Sequence, residues 1–140
     1  MNLYLKLTFR TFTIWVLASF INGLLCAVYE ASMNHMSNAF PVGILVVFFI
    51  SLFFSAPGFF IFWIILLTKL VNGIYERALF RTALSTGFPL AAATAIISLE
   101  LLKPDFSTHK YVFILFAILS SMTSIMVHFN HFKKINKPAQ

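Results

Sequence analysis

Acidic side chains are scarce in this sequence: Asp and Glu together number 4 among 140 residues, and all charged types make up only 10%. Soluble domains carry about 25% charged residues, so this set cannot furnish the surface of a water-exposed globule. Cysteine is nearly missing too. A lone Cys26 excludes an intramolecular disulfide framework and a four-cysteine metal site. There is no internal repeat and no low-complexity tail, and the chain reads as one domain spanning residues 1–140.

Apolar residues take the place of the missing charges. They make up 60% of the chain, with 18 phenylalanines, and the mean hydropathy is +0.91. A soluble fold of this size leaves too much of its surface wet to hide so many Phe, Ile and Leu side chains. A bilayer removes that difficulty, because its core of about 30 Å accepts helices of roughly 20 apolar residues. Four such runs occupy residues 11–29, 42–68, 82–102 and 111–129. The segments between them are polar or carry turn residues, among them Asn72-Gly73. The expected fold is all-α, an integral membrane four-helix bundle. The first run follows Lys6 and Arg10 as a signal peptide would, but it outlasts the apolar region of one and closes on no small-x-small site, so it reads as an uncleaved helix.

Basic residues set the expected orientation. With four spans, one side holds Lys6, Arg10, Lys69, Arg77, Arg81, Lys133, Lys134 and Lys137, and the other holds Lys103 and Lys110. The positive-inside bias then places both termini in the cytoplasm. In a bacterium the membrane would be the inner (plasma) membrane. The net charge of +6 is thereby used in topology and in anchoring to anionic lipid, which leaves no support for a nucleic-acid partner.

Small and weakly polar residues mark the faces on which membrane helices meet. Ala83, Gly87, Ala91 and Ala95 recur every four residues on the third span, which points to a place at the bundle centre. Ser19, Asn22, Gly23 and Cys26 share adjoining turns of the first span, and Asn22 is the most polar group deep in any run. Its amide must meet a neighbour or water, since leaving it unpaired in hydrocarbon costs several kcal/mol. Ser120, Ser124 and His128 form an inward stripe on the fourth span, with Ser121 beside it. Pro57 and Pro89 remove backbone donors in the second and third spans, so both helices are expected to kink. The pattern from Lys69 to Arg81 suggests a short interfacial helix on which Arg77 and Arg81, one turn apart, grip lipid phosphates.

Catalytic chemistry finds little to work with. Glu30, Glu100 and His109, with His35 and Asp105 in the loops, are the one cluster that an ion or a proton relay would use, and all lie on the non-cytoplasmic side. No His-Glu-x-x-His helix or Gly-x-Ser-x-Gly elbow is present, and no cofactor or metal is expected. All four acids sit at span ends or in loops, which counts against proton-coupled transport, and one cysteine cannot serve a four-helix quinone–disulfide oxidoreductase. The leading expectation is an accessory, assembly, regulatory or immunity-type membrane component without evident catalysis. It would act through helix–helix contacts with a protein partner or a second copy, with membrane lipids as its other partners. A small transporter or lipid-binding protein is the first alternative, and a metal-dependent membrane enzyme the second.

Overall fold

The computed structural model describes residues 2–34, 40–102, 109–133 and 135. Among them there are helices and no strands. The order is α1 (Leu3–Asn34), α2 (Phe40–Val71), α3 (Glu76–Leu102), α4 (Lys110–Val127) and the single turn α5 (Phe129–Phe132). The four long helices are each long and apolar enough to cross a bilayer. At about 1.5 Å per residue, the 32 residues of α1 and of α2 outreach a hydrocarbon core of about 30 Å, whereas the 18 of α4 just match it.

Neighbouring helices run antiparallel, as their contacts require. Trp63 meets Thr8 and Ser55 meets Trp15 between α1 and α2, while Ser124 meets Ile14 and His128 meets Thr13 between α1 and α4. The start of α1 and the end of α4 therefore share one end of the bundle with the α2–α3 turn; the other end holds the end of α1, the start of α2, the end of α3 and the start of α4.

The third helix is not at the centre. α1 packs on α2, α2 on α3, α3 on α4 and α4 on α1, so the bundle is a closed square. The α1–α2 seam is the most extensive and the α2–α3 seam the least. Four rods that each bury one stripe are satisfied at the corners of such a square. The small stripe of α3 then faces its neighbours: Ala83 and Gly87 are buried, and a Cβ on Gly87 would press on Ile125 Cδ1 of α4 at 2.5 Å.

No separate interfacial helix forms between Lys69 and Arg81. Lys69 belongs to the last turn of α2, which Gly73 ends with φ +79°. The Gly73 N–H donates to the Leu70 carbonyl and the Ile74 N–H to the Lys69 carbonyl, both at 3.0 Å. This is a Schellman closure, which needs a left-handed residue that only glycine adopts without strain. Leu70 and Ile74 both pack on the core, so the apolar side of this segment has a protein face to cover. Arg77 and Arg81 stand exposed on the first turns of α3.

The two halves of the bundle are packed unequally. Leu7, Ile14, Phe62, Leu66, Leu70, Leu79, Ala83, Ile125, Phe132 and Ile135 form one buried cluster, all of it in the half that carries the termini. The other half holds few fully buried side chains and leaves partly open space between its helices. Outward, Phe49, Phe53, Phe60 and Ile64 of α2 are largely exposed, an apolar surface that suits acyl chains and not water.

Candidate functional site

A polar ladder runs along the α1–α2 seam. Thr8, Trp15, Asn22 and Tyr29 recur every seven residues on α1, so they lie near one face, with a drift of about 20° per step. The indole N–H of Trp63 donates to Thr8 Oγ1 (3.1 Å), that of Trp15 donates to Ser55 Oγ (2.8 Å), and Asn22 Nδ2 donates to Ser51 Oγ (2.6 Å). By Tyr29 the drift has turned the stripe to α4, where its hydroxyl lies 2.8 Å from His109 Nδ1. Between the rungs, Gly23 lets the helices touch: a Cβ there would stand 3.0 Å from the backbone N of Phe48 and 3.2 Å from the carbonyl O of Ile44.

Behind this ladder lie two adjoining chambers. The inner one, about 100 Å³, is walled by all four long helices: Trp15, Ser19 and Asn22 from α1, Ser51, Ser55, Gly58 and Phe59 from α2, Gly87, Ala91 and Thr94 from α3, Ala117, Ser120 and Ser121 from α4. The outer one, about 200 Å³, shares Asn22, Ser51, Ser55, Thr94 and Ala117 with it and extends to Cys26, Glu30, Ala95 and Ser98, away from the buried cluster. Small side chains on α3 make this room. Together the chambers reach the lower end of the small-molecule range, about 300 Å³. A third hollow of about 590 Å³ lies between α1 and α2 and is bounded by Leu5, Phe9, Phe12, Phe59, Phe60 and Trp63.

Six hydroxyl side chains interrupt a mostly apolar inner wall, and three of them are satisfied by their own helices. Ser55 donates to the Ser51 carbonyl (2.5 Å), Thr94 to that of Leu90 (2.8 Å) and Ser120 to that of Phe116 (2.7 Å), the usual resolution for Ser and Thr in an apolar helix. Ser19 differs. It is 4% exposed, it lines the inner chamber, and its hydroxyl has no partner among the described residues. Ser121 on α4, which is half-buried, also lines the chamber and makes no hydrogen bond among the described residues. Among the described residues, Asn22 Oδ1 receives only the Cys26 thiol, at 3.8 Å. Trp15 and Phe59 stack at 4.6 Å and 18° to complete a flat aromatic wall.

Other residues singled out from the sequence have other places. Ser124 reaches across to donate to the Ile14 carbonyl (2.7 Å) and is fully buried. His128 caps α4, its Nδ1 donating to the Ser124 carbonyl (2.8 Å) and its Nε2 lying 3.2 Å from Thr13 Oγ1. Pro57 and Pro89 both lie inside unbroken helices. Glu30 edges the outer chamber, Glu100 is exposed on α3, and His109 is turned to Tyr29. No three His, Cys, Asp or Glu side chains gather among the described residues; His35, Lys103 and Asp105 lie outside them. Trp15, Tyr29, Ser51, Ser55 and Thr94 were not evident from the sequence as site residues. The signal that finds the first two is the seven-residue spacing with Thr8 and Asn22, whereas those from α2 and α3 emerge only once the helices are paired.

Neither a protein-family model, nor a curated protein, nor a solved structure matches this chain.

Proposed function

We propose that this chain is a non-enzymatic, multi-pass membrane protein that binds a small membrane-borne molecule between its helices, as a lipid-binding protein or small transporter does. The observation that carries this reading is the pair of chambers, mixed hydroxyl and aromatic in lining, set against a closely packed opposite half. Sites for small molecules are mostly apolar hollows with a few convergent polar groups, and spaces between the helices of a bundle are among their common locations. Both termini are assigned to the cytoplasm by the basic residues flanking the spans, which turns the outer chamber toward the opposite face; in a bacterium this membrane is the inner one. Bends at Pro57 and Pro89 widen the α2–α3 side, and Arg77 and Arg81 hold lipid phosphates at the cytoplasmic surface.

The test is retention. The protein is extracted directly into lipid nanodiscs and analysed by native mass spectrometry, beside an Ala91→Phe variant that fills the inner chamber. A defined non-protein mass on the wild type that is lost in the variant supports the reading. The same mass on both, or none on either, contradicts it.

An accessory component acting through helix contacts is the second reading. It is favoured by the wide exposed face of Phe49, Phe53, Phe60 and Ile64. The small-residue faces argue less for it, because Gly23 and Gly87 are occupied within the bundle, on α2 and α4. Crosslinking in native membranes to one reproducible partner through the α2 face favours this reading over the first.

A further inference from the structure

A single carboxylate opens into an otherwise uncharged hollow. Asn22, Cys26 and Glu30 follow one another every four residues along α1, so they share a face, and all three line the outer chamber. Glu30 is the one nearest the end of the bundle away from the termini. Its carboxylate makes no hydrogen bond or ion pair among the described residues, and no Lys, Arg or second acid among them lines either chamber. At the same end His109 is turned to Tyr29, and Lys110 lies over the Tyr111 ring, 5.6 Å from its centroid. The rest of the wall is largely apolar and in part aromatic, with Val47, Ile50 and Phe54 from α2, Leu99 from α3 and Phe113 from α4. Two further acceptors stand inward. Asn22 Oδ1 takes only the long contact from the Cys26 thiol among the described residues. Ser98 donates its hydrogen to the Thr94 carbonyl at 2.6 Å and keeps its oxygen lone pairs.

This arrangement selects by charge. A molecule that fills the chamber strips water from Glu30. If that molecule is neutral or anionic, the carboxylate is left desolvated with no counter-charge, and an unpaired buried charge is costly. An ammonium pairs with the carboxylate, gives its remaining hydrogens to acceptor oxygens and gains from neighbouring aromatic rings. A hard inorganic cation fits poorly, since calcium takes about 6–8 oxygen ligands and one carboxylate in an apolar wall supplies far fewer. We infer that the outer chamber binds an organic monocation, a protonated amine on an apolar body, with the ammonium held by Glu30 and the body lying inward past Asn22 into the inner chamber. This rests on the proposed binding function and names its ligand class. Asn22 and Glu30 are two turns apart, about 12 Å along the helix, which is the length of a short chain ending in a ring. Two sources offer that chemistry, a free lipophilic amine and the amine head of a membrane lipid.

The full-length protein in phosphatidylcholine nanodiscs is titrated by isothermal calorimetry at neutral pH with 4-phenylbutylamine, 4-phenylbutanol and 4-phenylbutyrate. The three probes share one body and carry a cationic, a neutral and an anionic head; empty nanodiscs correct for partition into lipid. Saturable binding is expected of the amine alone. Glu30→Gln should weaken it at least about tenfold, and Glu30→Asp should retain much of it. Glu100→Gln removes an exposed acid of α3 that lines neither chamber, and should leave affinity unchanged. Thermal transitions check that each variant is folded, and the comparison of the three heads needs no variant at all. The alcohol or the butyrate binding as tightly overturns the inference, as does the absence of saturation by the amine. So does undiminished affinity in Glu30→Gln, or an equal loss in Glu100→Gln, which would mark a general surface-charge effect. Replacing part of the phosphatidylcholine by phosphatidylethanolamine separates the sources: competition with the amine points to a lipid head, and none points to a free amine. A retained native molecule without an amine sinks this assignment alone, whereas its retention by Ala91→Phe sinks the binding function itself.

Discussion

Single residues in this bundle do work that their chemistry allows no substitute to do. Gly73 holds φ +79° at the end of α2, and a Cβ there meets the strain that confines left-handed backbone to glycine. Gly73→Ala is expected to lower stability by about 1 kcal/mol in reversible unfolding with denaturing detergent. Asn22 joins α1 to α2 through Ser51, yet hydrogen bonds between membrane helices average only about 0.6 kcal/mol. Asn22→Ala should therefore cost less than about 2 kcal/mol in the same assay. A much larger loss would mean that the amide supports more than one seam. Asn22 was legible in the sequence as a group that needs a partner, because no amide is left bare in hydrocarbon. Which partner it takes was not, since Ser51 is 29 positions away and the α1–α2 register decides the pairing.

At the scale of elements, the four long helices could be read from hydrophobic run length alone, for few other arrangements of such runs satisfy the backbone in lipid. Their ends could not. Leu3–Asn34 extends α1 well past the apolar run of 11–29, because nothing in that sequence stops a helix. The turn at 72–75, by contrast, is written in Asn72-Gly73. The supposed interfacial helix failed for a related reason: amphipathicity shows that a face must be covered, not whether lipid or protein covers it, and Leu70 and Ile74 chose the core. The α1–α2 seam has the least give where Gly23 approaches the backbone of Phe48 and Ile44 at 3.0–3.2 Å. Gly23→Val forces these helices apart and should cost about 1–3 kcal/mol. Gly87→Ala meets only the end of the Ile125 side chain, which can turn aside, so its effect should be distinctly smaller.

At the scale of the molecule, the packing is one-sided, with a buried cluster in the half bearing the termini and chambers in the other. Sequence pattern gave no warning of this division, since the α3 stripe of Ala83, Gly87, Ala91 and Ala95 looks uniform along its length. What differs is the partner: Ala83 is buried in Leu79's cluster, Gly87 stands between Ile125 and the inner chamber, and Ala91 and Ala95 border space. The proposed orientation predicts that Lys137→Cys, in a Cys26→Ala background, stays unlabelled by an impermeant maleimide on intact cells and is labelled after permeabilisation. Labelling from outside would invert the assignment of the chambers to the non-cytoplasmic side.

The division itself is tested most directly by thiol reactivity along that stripe, because alkylation needs a thiolate and hence a hydrated surrounding. Ala83→Cys and Ala95→Cys, each in the Cys26→Ala background, are treated in native membranes with the permeant reagent N-ethylmaleimide. The account predicts that the thiol at position 95 reacts at least about tenfold faster than the one at 83, as a partly hydrated chamber beside a packed core requires. Equal rates at the two positions would contradict it, leaving a bundle closed along its whole length and no room for a ligand.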